Sequence, residues 1–208
     1  KFGLENKHVL LTFGLLSEGK CIETALDALP AVINKFPDTM YLILGKTHPE
    51  VTKREGEKYR MFLQQKINDL KINDHVRFVN KYLSLDELLD YLRLTDIYLF
   101  TSGDPNQAVS GTFDYAMGCS CPVISTPIPH AKEMLGNDAG VIVDFRNPEQ
   151  LSNAITDLLS HPEKRKQMRL NALHKIRPTS WQNSAIAHAE LFKKVTEDLF
   201  EYDEVTLK

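Results

Sequence analysis

Six short apolar runs punctuate this chain, at residues 9–13, 40–44, 76–79, 97–101, 122–125 and 140–143, and they show almost no alternation of polar with apolar residues. A strand with one wet face alternates. A run that does not alternate is covered on both faces, as a strand is in a parallel sheet flanked by helices. The intervening segments carry apolar residues at helical spacing, such as Ile22, Ala25, Leu26, Leu29, Ile33 and Phe36, or Tyr59, Phe62, Leu63, Ile67 and Leu70. Each set marks one face of a helix. The order is βαβα, so the pattern predicts an α/β fold: a doubly wound parallel sheet of about six strands with helices on both faces.

Helix punctuation agrees with that count. Ser84-Leu-Asp-Glu87 reads as a capping box, and Asn147-Pro148-Glu149 and His161-Pro162-Glu163 each place a proline at a first helical position. The last third turns wholly helical, with segments at 148–160, 162–176 and 180–200 and no strand between them. The final helix, bearing Trp181, Ala185, Phe192, Val195 and Leu199, is expected to pack across the finished domain or onto a neighbour outside the chain. The polar tail beyond Glu201 is expected to fray.

At 208 residues, 42% of them hydrophobic, the chain suffices for one large domain over 1–208 and is cramped for two. A formal charge of -3 gives no general attraction for nucleic acid or anionic lipid, so no nucleic-acid partner is expected and a polyanion would need a local pocket. No apolar run approaches the roughly 20 residues of a transmembrane segment, and no signal peptide is read. Cys21, Cys119 and Cys121 lack framework spacing, which fits the reduced thiols of a cytoplasmic protein. The Cys119-x-Cys121 pair is expected to be buried thiols rather than metal ligands, so no metal site is predicted. Because the chain opens at Lys1 directly before a strand, it is expected to be a segment of something longer.

In a sheet of this kind ligands sit beyond the carboxyl ends of the strands. There the most informative stretch is Gln107-Ala-Val-Ser110-Gly111-Thr112-Phe-Asp114-Tyr-Ala-Met-Gly118, which leaves a strand and enters a helix. The first N–H groups of a helix have no intrahelical partners and the dipole adds partial positive charge, so Ser110, Gly111 and Thr112 are candidates to cradle phosphate. The layout recurs at Gly14-Leu-Leu-Ser-Glu-Gly-Lys20, which adds a fixed cation. The two corners read as one phosphate-binding site that includes Gly14, with Lys20 reaching across to a diphosphate held by the Ser110, Gly111 and Thr112 amides; the alternative is an exposed lysine. Gly14 to Lys20 also approaches the spacing of a nucleoside triphosphatase loop, but Cys21 replaces the hydroxyl residue that would hold Mg²⁺.

Other polar residues gather at the same end. Asp114, one turn into the helix, either accepts from a ribose diol or merely complements the dipole. Glu133, one helical turn past the fifth strand, either touches a sugar or ribose hydroxyl or is a solvated carboxylate. Asn80, Lys81 and Tyr82 end the third strand, where they face a nucleobase or are surface residues. Thr47-His48-Pro49-Glu50 with Arg54, Glu57 and Arg60 form a polar cluster whose charges are expected to pair along a helix. His48 and His130 lie in ligand-side loops, and neither is assigned a catalytic role.

Two segments carry a family resemblance that covers essentially the whole chain. Leu10-Leu-Thr-Phe-Gly14-Leu-Leu-Ser-Glu-Gly-Lys20 and Asp114-Tyr-Ala-Met-Gly-Cys-Ser-Cys-Pro-Val-Ile-Ser-Thr126 are similar to the Gly-Arg-Leu-x-x-x-Lys and Glu-Ala-Met-x-x-Gly-x-Pro-Val-Val-Ala-Thr segments of group 1 glycosyltransferases, the retaining enzymes of glycosyltransferase family 4. Asn106-Gln107-Ala-Val-Ser110-Gly111 and Thr47-His48-Pro49 resemble a mannosyltransferase-like branch. The resemblance implies a Rossmann-like domain, the C-terminal donor-binding half of a GT-B architecture. Its substrate would be a nucleotide diphosphate sugar, GDP-mannose or a UDP-sugar, with no other cofactor and no metal. Lys20 would contact the donor phosphates, Ser110, Gly111 and Thr112 would give amides to the diphosphate, Glu133 would lie on the nucleotide side, and Gln107 would meet the donor sugar.

By the same likeness a hexose, mannose or glucose, passes with retention to a saccharide or glycan acceptor. That acceptor is held by an N-terminal domain absent from this sequence, where the catalytic residues would largely lie. The isolated piece would be inactive, and the parent cytoplasmic or peripheral at the inner face of a membrane. Leu15 stands where the family carries an arginine, and the usual Glu-x₇-Glu pair becomes Asn106 and Asp114. Two alternatives are a non-catalytic nucleotide-sugar-binding module, consistent with Leu15 and Asn106, and a nucleotide-sugar epimerase, which would bring a paired acid and base into the cleft.

Overall fold

The computed structural model describes residues 2–136 and 138–206, with side-chain burial described up to residue 197. Six strands, β1 (His8–Phe13), β2 (Thr39–Leu44), β3 (Val76–Val79), β4 (Ile97–Phe100), β5 (Val123–Ser125) and β6 (Gly140–Ile142), form one sheet in the order β3-β2-β1-β4-β5-β6. Every pairing is parallel. The chain winds outward from β1 to β3, then returns to lay β4 on the other side of β1, which leaves a crevice above the β1–β4 pair.

The lack of alternation in the strands has the expected cause: alternate residues enter two different cores. Leu10, Tyr41, Ile43, Ile97, Leu99 and Ile124 face one. That layer is closed by α1 (Ile22–Lys35), α3 (Lys58–Asp69) and α7 (Pro148–Ser160). Val9, Leu11, Leu42, Tyr98, Phe100 and Val123 face the other. There they meet α5 (Gly111–Gly118), α6 (Pro129–Met134) and α8 (Pro162–Ile176), with Leu92 of α4 (Leu85–Arg93) at the margin. A short helix, α2 (Pro49–Glu55), follows β2.

The caps read from sequence form. Ser84 Oγ accepts from Glu87 N–H at 3.3 Å while Glu87 Oε2 accepts from Ser84 N–H at 3.1 Å. Asn147 Oδ1 accepts from Gln150 N–H at 3.0 Å at the start of α7. Of the pair expected to be buried thiols, Cys121 is buried, and burial pushes it up to about 12, but Cys119 is only half-buried; Cys21 is buried as well.

The last helix, α9 (Trp181–Thr206), does not lie across the domain. Among the described residues it packs chiefly on the 3-10 turn Arg177–Thr179, and it leaves Trp181 90% exposed and Phe192 65% exposed. Helical structure continues through Thr206 where fraying was expected; residues 207–208 and the side chain of Leu199 lie outside the described set. No described helix is long and apolar enough to cross a membrane.

The sheet's carboxyl edge depends on two glycines, Gly14 after β1 and Gly45 after β2, both at φ +122. Gly14 N–H donates to Leu44 O and Gly45 N–H to Val79 O, each at 3.0 Å, so the strand ladder continues into the loops. A Cβ on Gly45 would fall 2.1 Å from Gly14 O. Gly45→Ala therefore adds a backbone clash to a strained φ and is expected to destabilise the domain by about 3 kcal/mol or more in urea unfolding. The surface position of Trp181 is equally checkable, because it is the sole tryptophan. Its emission should be that of a solvated indole, freely quenched by acrylamide, and Trp181→Ala should change stability by less than about 0.5 kcal/mol.

Candidate functional site

The crevice above β1 and β4 is built by two loops that hold each other. After Gly14 the chain runs alongside and parallel to the segment leaving β2, with Leu16 N–H donating to Lys46 O at 2.8 Å and His48 N–H to Leu16 O at 2.9 Å. It then makes a 3-10 turn, Glu18–Lys20, and enters α1 through Cys21, which adopts φ +47. This differs from the direct strand-to-helix corner read from sequence. The inserted turn folds Lys20 back over the strand end instead of leaving it on the helix surface.

The β4–α5 loop closes over this turn. Thr101 Oγ1 donates to Lys20 O at 2.8 Å and Gly103 N–H donates to Gly19 O at 2.9 Å. Gly103 has no room for a side chain, since a Cβ there would lie 2.6 Å from Cys21 Sγ. Further along, Gln107 is held by its own loop: its Oε1 accepts from Ser102 Oγ at 2.7 Å and its Nε2 donates to Val109 O at 3.3 Å. Asp104 Oδ1 accepts from Asn106 N–H at 2.9 Å.

Gly14, Lys20 and Thr112 meet at one point. A Cβ on Gly14 would sit 3.2 Å from Lys20 Nζ and 3.1 Å from Thr112 Cγ2, so both corners open onto the same space. Burial lowers the Lys20 pKa, and its ammonium has no hydrogen bond or ion pair among the described residues. Below it lies a cavity of about 260 Å³ lined by Thr12, Ser17, Tyr98, Ser102, Asp104 and Gln107 among others. Thr12 is already satisfied, donating to Leu99 O at 2.7 Å and accepting from Tyr41 OH at 2.8 Å. The Tyr98 hydroxyl is not: fully buried, it lies near Thr112 and the Phe13 backbone without hydrogen-bond geometry to either. An unpaired, half-buried cation lining a cavity is what an anionic occupant would satisfy.

At the α5 corner the available donors are specific. Ser110 N–H already donates to His130 Nδ1 at 3.1 Å, and Ser110 Oγ lies 3.1 Å from Thr112 Oγ1. Phe113 and Asp114 N–H groups turn back to Ser110 O. The amides of Gly111 and Thr112 are the first-turn donors with no partner inside the helix, so this corner offers those two rather than all three read from sequence. Asp114 stands 3.2 Å from His130 Nε2; burial raises its carboxyl pKa and the imidazole opposes that shift.

The remaining sequence candidates lie apart from this cavity. Glu133 is exposed on α6. Asn80, Lys81 and Tyr82 are exposed after β3, with Lys81 Nζ on Glu87 Oε1 at 2.6 Å and Lys46 Nζ 5.5 Å over the Tyr82 ring. The Thr47 cluster pairs internally. Glu57 accepts from Thr47 and Arg60, and Arg60 Nη2 donates to Gly45 O at 3.1 Å, tying α3 to the glycine pair. His48 caps α2 through Glu50 N–H. Sequence reading missed Tyr98, hidden as an ordinary core residue of β4, and the role of His130, whose partners are 16 and 20 residues away (130 − 114 and 130 − 110).

Residues 1–175 match the family described as glycosyl transferases group 1. Spore coat protein SA of Bacillus subtilis is 27% identical over 173 residues, covering 81% of this chain and 44% of the relative. A GDP-mannose-dependent alpha-(1-6)-phosphatidylinositol monomannoside mannosyltransferase of Mycolicibacterium smegmatis is 24% identical, over 84% of this chain and 44% of the relative. The chain thus spans about half the length of these relatives. Anabaena Alr3699/HepE, solved in complex with UDP and glucose, superposes with a TM-score of 0.75 at 22% identity, over 90% of this chain and 49% of that one. The sheet order, the paired loops above β1 and β4 and the match over most of its length place this chain among the group 1 glycosyltransferases, with the fold of a GT-B C-terminal domain.

Proposed function

We propose that this domain binds the donor of a retaining hexosyl transfer, a nucleotide diphosphate sugar, and holds its diphosphate between Lys20 and the Gly111 and Thr112 amides. The observation that carries the reading is the Lys20 ammonium, partly withdrawn from water, with no counter-ion among the described residues, opening onto the same space as the helix corner that bears the unpaired Gly111 and Thr112 amides. Such a cation is costly unless an anion completes it. When the bond from the sugar's anomeric carbon to the diphosphate oxygen breaks, negative charge grows on that oxygen. A pre-placed ammonium and two N–H dipoles stabilise it without reorganising.

Mannose or glucose is the proposed hexose, with GDP-mannose or UDP-glucose as donor. Support comes from the Mycolicibacterium relative, named as GDP-mannose-dependent, and from the Anabaena protein's complex with UDP and glucose. The proposed acceptor is a saccharide, and on this reading it and the catalytic groups would be supplied from outside these residues. Gln107 and Asp104 lie in the cavity wall where the donor sugar would rest, Gln107 presenting a fixed rather than free amide. Asp114, Glu133 and the Asn80–Tyr82 loop are retained as the ribose and base side of the donor.

Leu15 and Asn106 favour a second reading, a nucleotide-sugar binder without transfer activity. Transfer of radiolabelled mannose or glucose by the full-length protein separates the two. Calorimetry with UDP, GDP and their glucose and mannose conjugates tests the shared claim. Lys20→Met should weaken diphosphate binding by about 1–3 kcal/mol, because a charge-assisted contact is lost. The same change should raise the ligand-free midpoint of unfolding, because an uncompensated charge leaves a desolvated place. Unchanged affinity would remove Lys20 from the site.

A further inference from the structure

The α5 corner is held from outside its own helix. Ser110, the residue preceding α5, makes no side-chain cap, so the first turn lacks its usual local fastening. In its place the His130 ring reaches across from α6 and takes the Ser110 N–H on Nδ1 at 3.1 Å. An Nδ1 that accepts leaves the ring proton on Nε2, which faces Asp114 Oδ1 at 3.2 Å. The ring is 11% exposed and packs on Phe113, with centroids 4.9 Å apart. One imidazole therefore touches the backbone before the helix, the aromatic residue inside its first turn and the turn's acidic residue.

We propose that His130 is a positioning residue for the phosphate corner. Its Nδ1 fixes the Ser110 backbone, which keeps the next two amides, Gly111 and Thr112, free and in place for the ligand. Its Nε2 holds the Asp114 carboxylate, keeping that negative charge occupied beside a site meant for an anion. Placement of this kind matters because donors displaced by a fraction of an ångström lose most of their electrostatic benefit. The effect on nucleotide binding rests on the phosphate-site reading above; the clamp itself does not.

Three substitutions separate the atoms. His130→Asn can present an amide oxygen near the Nδ1 position; His130→Gln keeps bulk but reaches toward the Nε2 position; His130→Ala removes both. Each folded variant is titrated calorimetrically with UDP and GDP, and Ser110 amide exchange is followed by ¹H–¹⁵N NMR without ligand. His130→Ala and His130→Gln should weaken nucleotide binding about tenfold, the scale of one lost hydrogen bond in a charged site, and His130→Asn should recover most of it. Ser110 exchange should be slow in the parent and in His130→Asn and fast in the other two. If His130→Ala does not fold, His130→Gln against His130→Asn carries the same comparison. Wild-type affinity in His130→Gln, or a His130→Asn variant as weak as His130→Gln, overturns the proposal. Should the parent bind neither nucleotide, the phosphate reading fails by itself; the Ser110 exchange pattern then decides the clamp, with fast exchange in the parent contradicting it.

Discussion

The functional end of this domain turns on a half-buried ammonium with no hydrogen bond or ion pair among the described residues. Lys20 is carried back over β1 by a 3-10 turn, partly withdrawn from water and left without an ion pair among the described residues. Folding alone gains nothing from that arrangement, since a charge in such a place lowers stability unless something neutralises it. Elsewhere in the chain charged side chains pair: Lys81 with Glu87, Arg60 with Glu57 and Lys164 with Asp157. Lys20 has no such partner among the described residues, which is what supports the proposed role of its ammonium in anion binding.

The sheet positions this cation through close backbone approach. Gly14 and Gly45 extend the β1–β2–β3 ladder past its end, and Gly103 lies against Cys21 as the β4 loop seals onto the Lys20 turn. Side chains at these glycines would separate loops whose contact defines the crevice. The fold therefore supplies geometry at the switch between β1 and β4, while the chemistry comes from a few polar groups left unsatisfied there. These are the Lys20 ammonium, the Gly111 and Thr112 amides and the Tyr98 hydroxyl.

Much of this was legible in the sequence, for identifiable reasons. The inner strands β1, β2, β4 and β5 declared themselves because burial on both faces erases alternation, the half-buried edge strands β3 and β6 by their short apolar runs, and the Ser84 and Asn147 caps because their chemistry is local. The convergence of Gly14, Lys20 and Thr112 was legible because strand order places both loops at one edge. What stayed hidden depends on contacts between residues far apart in the chain. Nothing in Ser125-Thr-Pro-Ile-Pro-His130 says that its imidazole will accept from Ser110, and nothing in Ile97-Tyr98-Leu99-Phe100 says that one hydroxyl will go unpaired. For α9 the apolar residues suggested burial, yet Trp181 and Phe192 face solvent, because helical spacing reports an apolar face without saying what covers it.

The proposed role of this cation is tested most directly by titrating Lys20 itself, following its ¹³Cε–¹H signal with pH in the free domain and at saturating UDP or GDP. A desolvated, unpaired ammonium titrates below the ordinary lysine range when free and moves upward when a diphosphate neutralises it. An ordinary pKa in the free domain, unmoved by nucleotide, would contradict the account.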